Sequence, residues 1–273
     1  MNKKILGFVL MAAIIAVISW KAKAPETTIP STEVASWGDL EEVKMPKSVP
    51  DYIIRYQPMT VSFNRETHQP NWVAWELTRE ETEGEISRDK AAGFSADPNV
   101  PGCPSPSDYT HSGYDRGHMA PAGDMKWKQS AINQSFYMTN ICPQAGELNR
   151  GAWKKLEEKC RQKAAADSAI VIVCGPIFTP GVDHETIGYD TRIPVPDKFF
   201  KVILSAYADP PTAIGFIMPN SYVTGGMQTC AVSVDSVEAV TGYDFFSALP
   251  DDVENTLEAQ CDFPRWSVIR RKK

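Results

Sequence analysis

Three β-rich apolar runs occupy the second half of this 273-residue chain: residues 169–178 (AIVIVCGPIF), 199–207 and 213–218. Short apolar runs rich in β-branched residues read as strands. Two earlier strands are expected within residues 56–78, where VSF and NWVAWEL alternate, with 71–75 burying one face. A further strand is expected over 136–141. One helix is unambiguous, residues 152–166 (AWKKLEEKCRQKAAA), with strong helix formers and charges spaced i,i+4. Residues 126–136, 232–240 and 251–259 read as shorter helices, and the proline-rich stretch 94–108 as a loop. Strands and helices mix without strict βαβ alternation. That predicts an α+β fold: a mixed or antiparallel sheet core flanked by helices. The length suits one domain, placed over residues 50–273.

The N-terminus stands apart. Lys3 and Lys4 precede an uncharged, mostly apolar run over 5–20, and KAKA follows at 21–24. This is the grammar of an export signal, with two outcomes open: cleavage, or retention of 5–20 as a membrane anchor. The expected location is periplasmic, extracellular or membrane-anchored. Residues 25–49, rich in Pro, Ser, Thr and Glu, read as a flexible linker. Six cysteines follow, at 103, 142, 160, 174, 230 and 261. In an exported protein an even count implies disulfides, with 15 pairings open. There is no C-x-x-C, which disfavours a zinc ribbon.

Residues 1–24 hold four of the 28 basic residues and none of the 34 acidic ones, so the rest of the chain carries a net charge of −10. That excludes a tight, sequence-independent grip on nucleic acid across the whole surface. It leaves room for local handling of a phosphate.

The stretch YDRGHMAPAGDM, residues 114–125, suits neither an apolar helix face nor an alternating strand. It reads as a glycine turn that buries little, with Asp115 pairing Arg116 or capping the turn and Gly117 letting the backbone bend. His118 is then a positioned imidazole, the usual general base near neutral pH. Arg116 offers a planar fork of donors suited to phosphate. Together they point to phosphoryl transfer. Downstream, Asn140 lies in TNICPQ and Asn149 in LNRGAW, just before the clear helix. A neutral amide oxygen suits a hard cation such as Mg²⁺ that keeps most of its waters.

These motifs, in this order, closely resemble the DNA/RNA non-specific endonucleases, also called His-Me finger or ββα-metal nucleases: a DRGH box, then N-x-x-P-Q, then L-N-x-x-x-W-x-x-L-E. In the last segment three residues separate Asn149 from Trp153. The resemblance covers residues 71–258. It implies His118 as general base, Asn149 as the direct metal ligand, Arg116 beside the phosphate, Asn140 as an ordering residue and Glu157 as the acid that holds metal-bound water. It further implies Mg²⁺ as cofactor, with Mn²⁺ as a substitute, and DNA and RNA as substrates. One departure stands out. Ala92 occupies the position of a phosphate-contacting arginine five residues before Asp97-Pro98, and Arg88 or Lys90 is the nearby replacement. Lys126, Lys128, Arg150, Lys154 and Lys155 are candidates for a basic substrate rim.

Geometry limits the metal assignment. In a continuous helix Asn149 and Glu157 lie about 12 Å apart along the axis, too far to touch one ion. Either the helix begins later, near Gly151, or Glu157 acts through water. The expected function is therefore a metal-dependent phosphodiesterase acting on DNA and RNA. The alternatives are a nucleic-acid-binding protein on a degenerate nuclease fold and a zinc hydrolase built on His111 and His118.

Overall fold

The structure, a computed structural model, describes residues 40–269. The expected signal or anchor lies outside these residues. Among the described residues no helix is long and apolar enough to cross a membrane.

The chain opens with an antiparallel meander: β1 (Tyr52–Arg55), β2 (Thr60–Asn64) and β3 (Gln69–Thr78). A short helix α1 (Arg79–Thr82), capped by Thr78, leads into the long loop. Next come β4 (Asp115–His118), α2 (Gln129–Ser135), β5 (Ile141–Gln144), a turn of helix α3 (Gly146–Leu148) and the long helix α4 (Lys154–Asp167). The chain then returns to the sheet with β6 (Ala169–Ile177). The short pair β7 (Thr186–Ile187) and β8 (Ile193–Pro194) precedes β9 (Lys198–Ser205), β10 (Thr212–Pro219) and β11 (Ala231–Val232). Helices α5 (Val234–Thr241), α6 (Asp251–Glu258) and α7 (Phe263–Ser267) close the fold.

One seven-stranded sheet organises this chain, in the order β1-β2-β3-β6-β9-β10-β11. The pairs are antiparallel throughout. The fold is α+β, as expected. Strand residues alternate between faces, and here both faces are covered. Val73, Trp75, Leu77, Ile170, Ile172 and Cys174 point into one core, beneath α4. Trp72, Ala74, Val171 and Val173 point into the other, beneath α5 and α6. The stretch 71–75 is thus buried on both faces rather than one. It lies third in the sheet, with β2 and β6 on either side.

Three other expectations are corrected. The linker does not run to residue 49: Leu40 is fully buried in the second core, and Lys44 exchanges backbone hydrogen bonds with Asp244. Residues 136–141 are not a strand. Met138–Asn140 form a 3-10 turn, and β5 begins only at Ile141. Finally, all six cysteines are free. Cys142, Cys160 and Cys174 serve as small apolar core residues in one cluster. Burial pushes the Cys160 thiol up to about 12 and that of Cys174 to about 11, so both are inert at neutral pH.

Candidate active site

The DRGH segment is a strand, not a turn. β4 pairs with β5 in the register Asp115↔Gln144, Arg116↔Pro143, Gly117↔Cys142, His118↔Ile141. Glycine is needed at 117 for space: a Cβ there would lie 2.5 Å from both Cβ and Oε1 of Gln144. The segment also buries more than its composition implies, with residues 117–122 all buried. Asp115 does not pair with Arg116. Its two oxygens reach across to Asn149, whose Nδ2 donates at 2.9 Å, and to Arg150.

Asn149 and Glu157 are not on one continuous helix. Gly151 is non-helical (φ −103°, ψ −111°), and regular α-helix begins only at Lys154. From there Trp153, Leu156, Cys160 and Ala164 turn into the core at helical spacing. Glu157 and Arg161, four residues apart, share the neighbouring face and line a cleft. Two strands and this helix bracket the site as a ββα unit.

The cleft has a volume of about 780 Å³. It gathers Arg88, Arg116, His118, Lys126, Asn149, Arg150, Lys154 and Glu157, all expected from the sequence, together with Glu85 and Arg161. Its six basic side chains face only two acidic ones, so a local basic groove exists within an acidic chain. Lys90, Lys128 and Lys155 do not line it. Arg88, not Lys90, is therefore the cation that stands near the Ala92 departure. His111 lines a different cleft with Asp108 and Tyr189, which removes the two-histidine zinc alternative. Arg161 was missed, although its spacing of four from Glu157 on an unambiguous helix was the available signal.

His118 is 8% exposed and stands between Phe94 and Phe136, with ring centroids 5.2 and 4.9 Å away. Its Nε2 has no hydrogen-bond partner among the described residues. Burial, with Arg88 nearby, lowers its pKa to about 3, so the imidazole is neutral at pH 7. Arg116 commits Nε and Nη2 to the Pro106 carbonyl at 3.2 and 2.6 Å, and Nη2 also to Thr110 at 3.0 Å, which fixes the guanidinium plane.

Asn140 does not line the cleft. Fully buried, it donates to the carbonyls of Ala120 and Ser135, both at 2.8 Å, and accepts from the Ala120 amide at 2.9 Å. It clamps the segment that leaves His118 and acts as a positioning residue. The Trp153 indole steadies the same point, donating to the His118 carbonyl at 3.3 Å.

Under Glu157 lies a second group of charges. Asp124, 1% exposed, accepts from Arg161 at 2.7 Å and from the Trp75 indole at 3.2 Å. Lys201, also 1% exposed, sits with its ammonium 4.4 Å from the Trp153 ring centre and 5.0 Å from that of Trp75. Burial pushes Glu157 up to about 7, against the pull of Lys201.

These residues fit a hard cation. The Asn149 amide spends its nitrogen on Asp115, which leaves its oxygen as the ligand atom. The elevated Glu157 carboxyl gains most from a cation or a cation-bound water beside it.

A β-strand pair followed by a helix, with a histidine on the first strand and an asparagine at the helix entrance, defines a ββα-metal nuclease site. Residues 36–252 match the DNA/RNA non-specific endonuclease family, and the chain belongs to it. Mitochondrial Nuclease 1 of Schizosaccharomyces pombe is 32% identical over 223 residues, 76% of this chain and 69% of its own. Mitochondrial nuclease EXOG of Xenopus laevis is 34% identical, over 79% of this chain and 63% of its own. A nuclease from Nostoc sp. is 28% identical over 94% and 99% of the two chains. Among solved structures, a chain of the EndoG/EndoGI complex aligns with a TM-score of 0.69 at 31% identity, covering 73% of this chain and 87% of that one.

These relatives overturn the expected export. The matched nucleases of S. pombe, Saccharomyces cerevisiae, Xenopus laevis, mouse and human are mitochondrial, not exported, proteins.

Proposed function

We propose that this chain is a Mg²⁺-dependent endonuclease, with Mn²⁺ as a substitute, that hydrolyses phosphodiester bonds in both DNA and RNA. The observation that carries it is the convergence of His118, Arg88, Arg116, Asn149 and Glu157 on one basic cleft. His118 Nε2, buried and unpartnered, takes a proton from water, and that water attacks phosphorus in line. Its basicity is low in the free protein. The negative charge of a bound phosphodiester offsets Arg88 and raises it where it is needed. Arg88 and Arg116 bind the phosphate oxygens. Asn149 would hold the cation directly and Glu157 one of its waters; when bound, the cation would supply charge stabilisation to the phosphate and the departing oxygen. Lys126 and Arg150, which line the cleft, meet the backbone, so substrates are chosen by backbone and shape.

The test is rate against metal concentration for two variants. His118→Ala keeps the metal ligand and loses about 10²- to 10⁴-fold in rate, with the parent's metal dependence. Asn149→Ala shifts metal half-saturation to higher concentration. Near-full activity in His118→Ala, or a parental metal curve in Asn149→Ala, would overturn this mechanism. A chain that binds nucleic acid but cuts nothing with either metal would restore the binding-protein alternative.

A further inference from the structure

On the sheet face away from the cleft, α5 and α6 pack through Val234, Val237, Val253 and Leu257. Their flanks bring three carboxylates together. One oxygen each from Asp235, Glu238 and Glu258 lies within 4.8 Å of the others. Asp235 is exposed, Glu238 half-buried and Glu258 only 5% exposed. Glu258 Oε1 is buried and without a hydrogen-bond partner, and so is Oε1 of Glu254, one turn earlier on α6. Glu238 has one oxygen committed to the Phe245 amide, at 2.9 Å.

Among the described residues no basic side chain is paired with Asp235, Glu238 or Glu258. Burial and then the charges of Glu238, Glu254, Asp235 and Asp244, all acidic, push Glu258 up to about 9. Lys44, the cation near Glu254, is paired with Asp244 at 3.2 Å. A buried carboxylate oxygen without a donor is costly, and like charges one helical turn apart add to the cost. A shared proton relieves one carboxyl. A divalent cation relieves three at once. Ca²⁺ takes six to eight oxygens in irregular arrangements, whereas Mg²⁺ demands near-octahedral geometry. Three carboxylates from two helices, with solvent on the Asp235 side, match the former.

We propose that Asp235, Glu238 and Glu258 bind a calcium ion that ties α5 to α6, at a site separate from the nuclease cleft. The proposal does not depend on the chain's being a nuclease.

The experiment uses the full chain carrying Asn149→Ala, so that the affinity of the cleft for calcium is weakened. Thermal unfolding is followed in EDTA and across a CaCl₂ titration, with calorimetry for stoichiometry. Calcium raises the Tm, with one ion bound per chain. Adding Glu258→Gln removes the calcium response and leaves the Tm in EDTA near the parent's, because without calcium the Glu258 carboxyl is already protonated at neutral pH. Adding Asp235→Asn, on an exposed side chain outside the core, leaves the EDTA Tm near the parent's and weakens calcium affinity by about tenfold, as loss of a charged ligand should. No Tm shift at millimolar calcium overturns the proposal. So does a calcium shift undiminished in both variants. A Tm that rises with acidity in EDTA but ignores calcium also overturns it, because the carboxyls would then share a proton.

Discussion

Asp115 Oδ2 accepts a hydrogen bond from Asn149 Nδ2 at 2.9 Å, across 34 residues of chain, and its other oxygen pairs with Arg150. One carboxylate thus joins the DRGH strand to the entrance of the metal helix. It fixes which end of the Asn149 amide is free for a cation. Asp115→Ala should therefore act on metal binding through Asn149. Half-saturation should move to higher metal concentration, with activity down by about 10- to 100-fold at limiting metal, the usual effect of an outer partner. Arg150→Ala leaves Asn149 held and should cost less. A parental metal curve in Asp115→Ala, measured beside Arg150→Ala, would show that the amide needs no such anchor.

The glycine of the DRGH strand makes a sharper case. A Cβ at residue 117 would lie 2.5 Å from the Gln144 Cβ, so Gly117→Ala must part β4 from β5. Overpacking of this kind costs about 1–3 kcal/mol, read as a lower urea midpoint. Because the clash is with Cβ itself, adding Gln144→Ala should not relieve it, whereas adding Gln144→Gly should. Equal recovery by both second changes would mean that the Gln144 amide, not the backbone separation, sets the strand spacing.

These two sites mark what a linear reading can reach. The strands were legible where they lie inside the sheet, because β6 has no solvent side and its nine residues are all buried. His118, Asn149 and Glu157 were legible through the order of three linked motifs. The distance along an unbroken helix left two alternatives, a later helix start near Gly151 or a water between Glu157 and the ion, and the structure shows a break at Gly151. Partners distant in sequence were not. Asp115 faces Asn149 only once β4 pairs with β5, and Arg161 reaches the cleft only once the phase of α4 is set. Polar composition hid Leu40, which with Val43 and Met45 docks the end of the supposed linker on the second core. The cysteines misled because their even number matched an oxidising compartment, while Cys142, Cys160, Cys174 and Cys230 fill the core.

Metal affinity should depend on pH through Glu157. Burial raises its folded pKa to about 7, above the ordinary 4.5. Below that value the carboxyl is protonated and neutral, and a cation must displace the proton. The metal concentration for half-maximal rate should rise by about tenfold per pH unit as pH falls below about 7, and level off above it. His118 cannot produce this limb in the free protein, since its pKa is near 3 and it stays neutral throughout. Glu157→Gln should flatten the dependence while weakening metal binding at high pH. If the slope survives in Glu157→Gln, another group titrates with the metal.

The last expectation concerns the charges beneath the site. Asp124 is 1% exposed, and its pairing with Arg161 at 2.7 Å is backed by the Trp75 indole. Arg161 is different: a quarter of its side chain meets solvent in the cleft. Removing either partner is therefore not symmetrical. Arg161→Ala leaves a carboxylate in the core with only the indole and the more distant Lys201, and that should cost about 3 kcal/mol of stability, as expected when a buried pair is broken. Asp124→Asn keeps a polar group for the indole and leaves an arginine that water can solvate, so it should cost clearly less. Gly123 bears on the same contact, because a Cβ there would come within 2.9 Å of Arg161 Nη1. Gly123→Ala should push that guanidinium from Asp124 and reproduce part of the Arg161→Ala loss. Urea unfolding of the three variants without metal separates this from any effect on catalysis. If Asp124→Asn proves as damaging as Arg161→Ala, the cost lies in the lost hydrogen bonds rather than in a stranded charge.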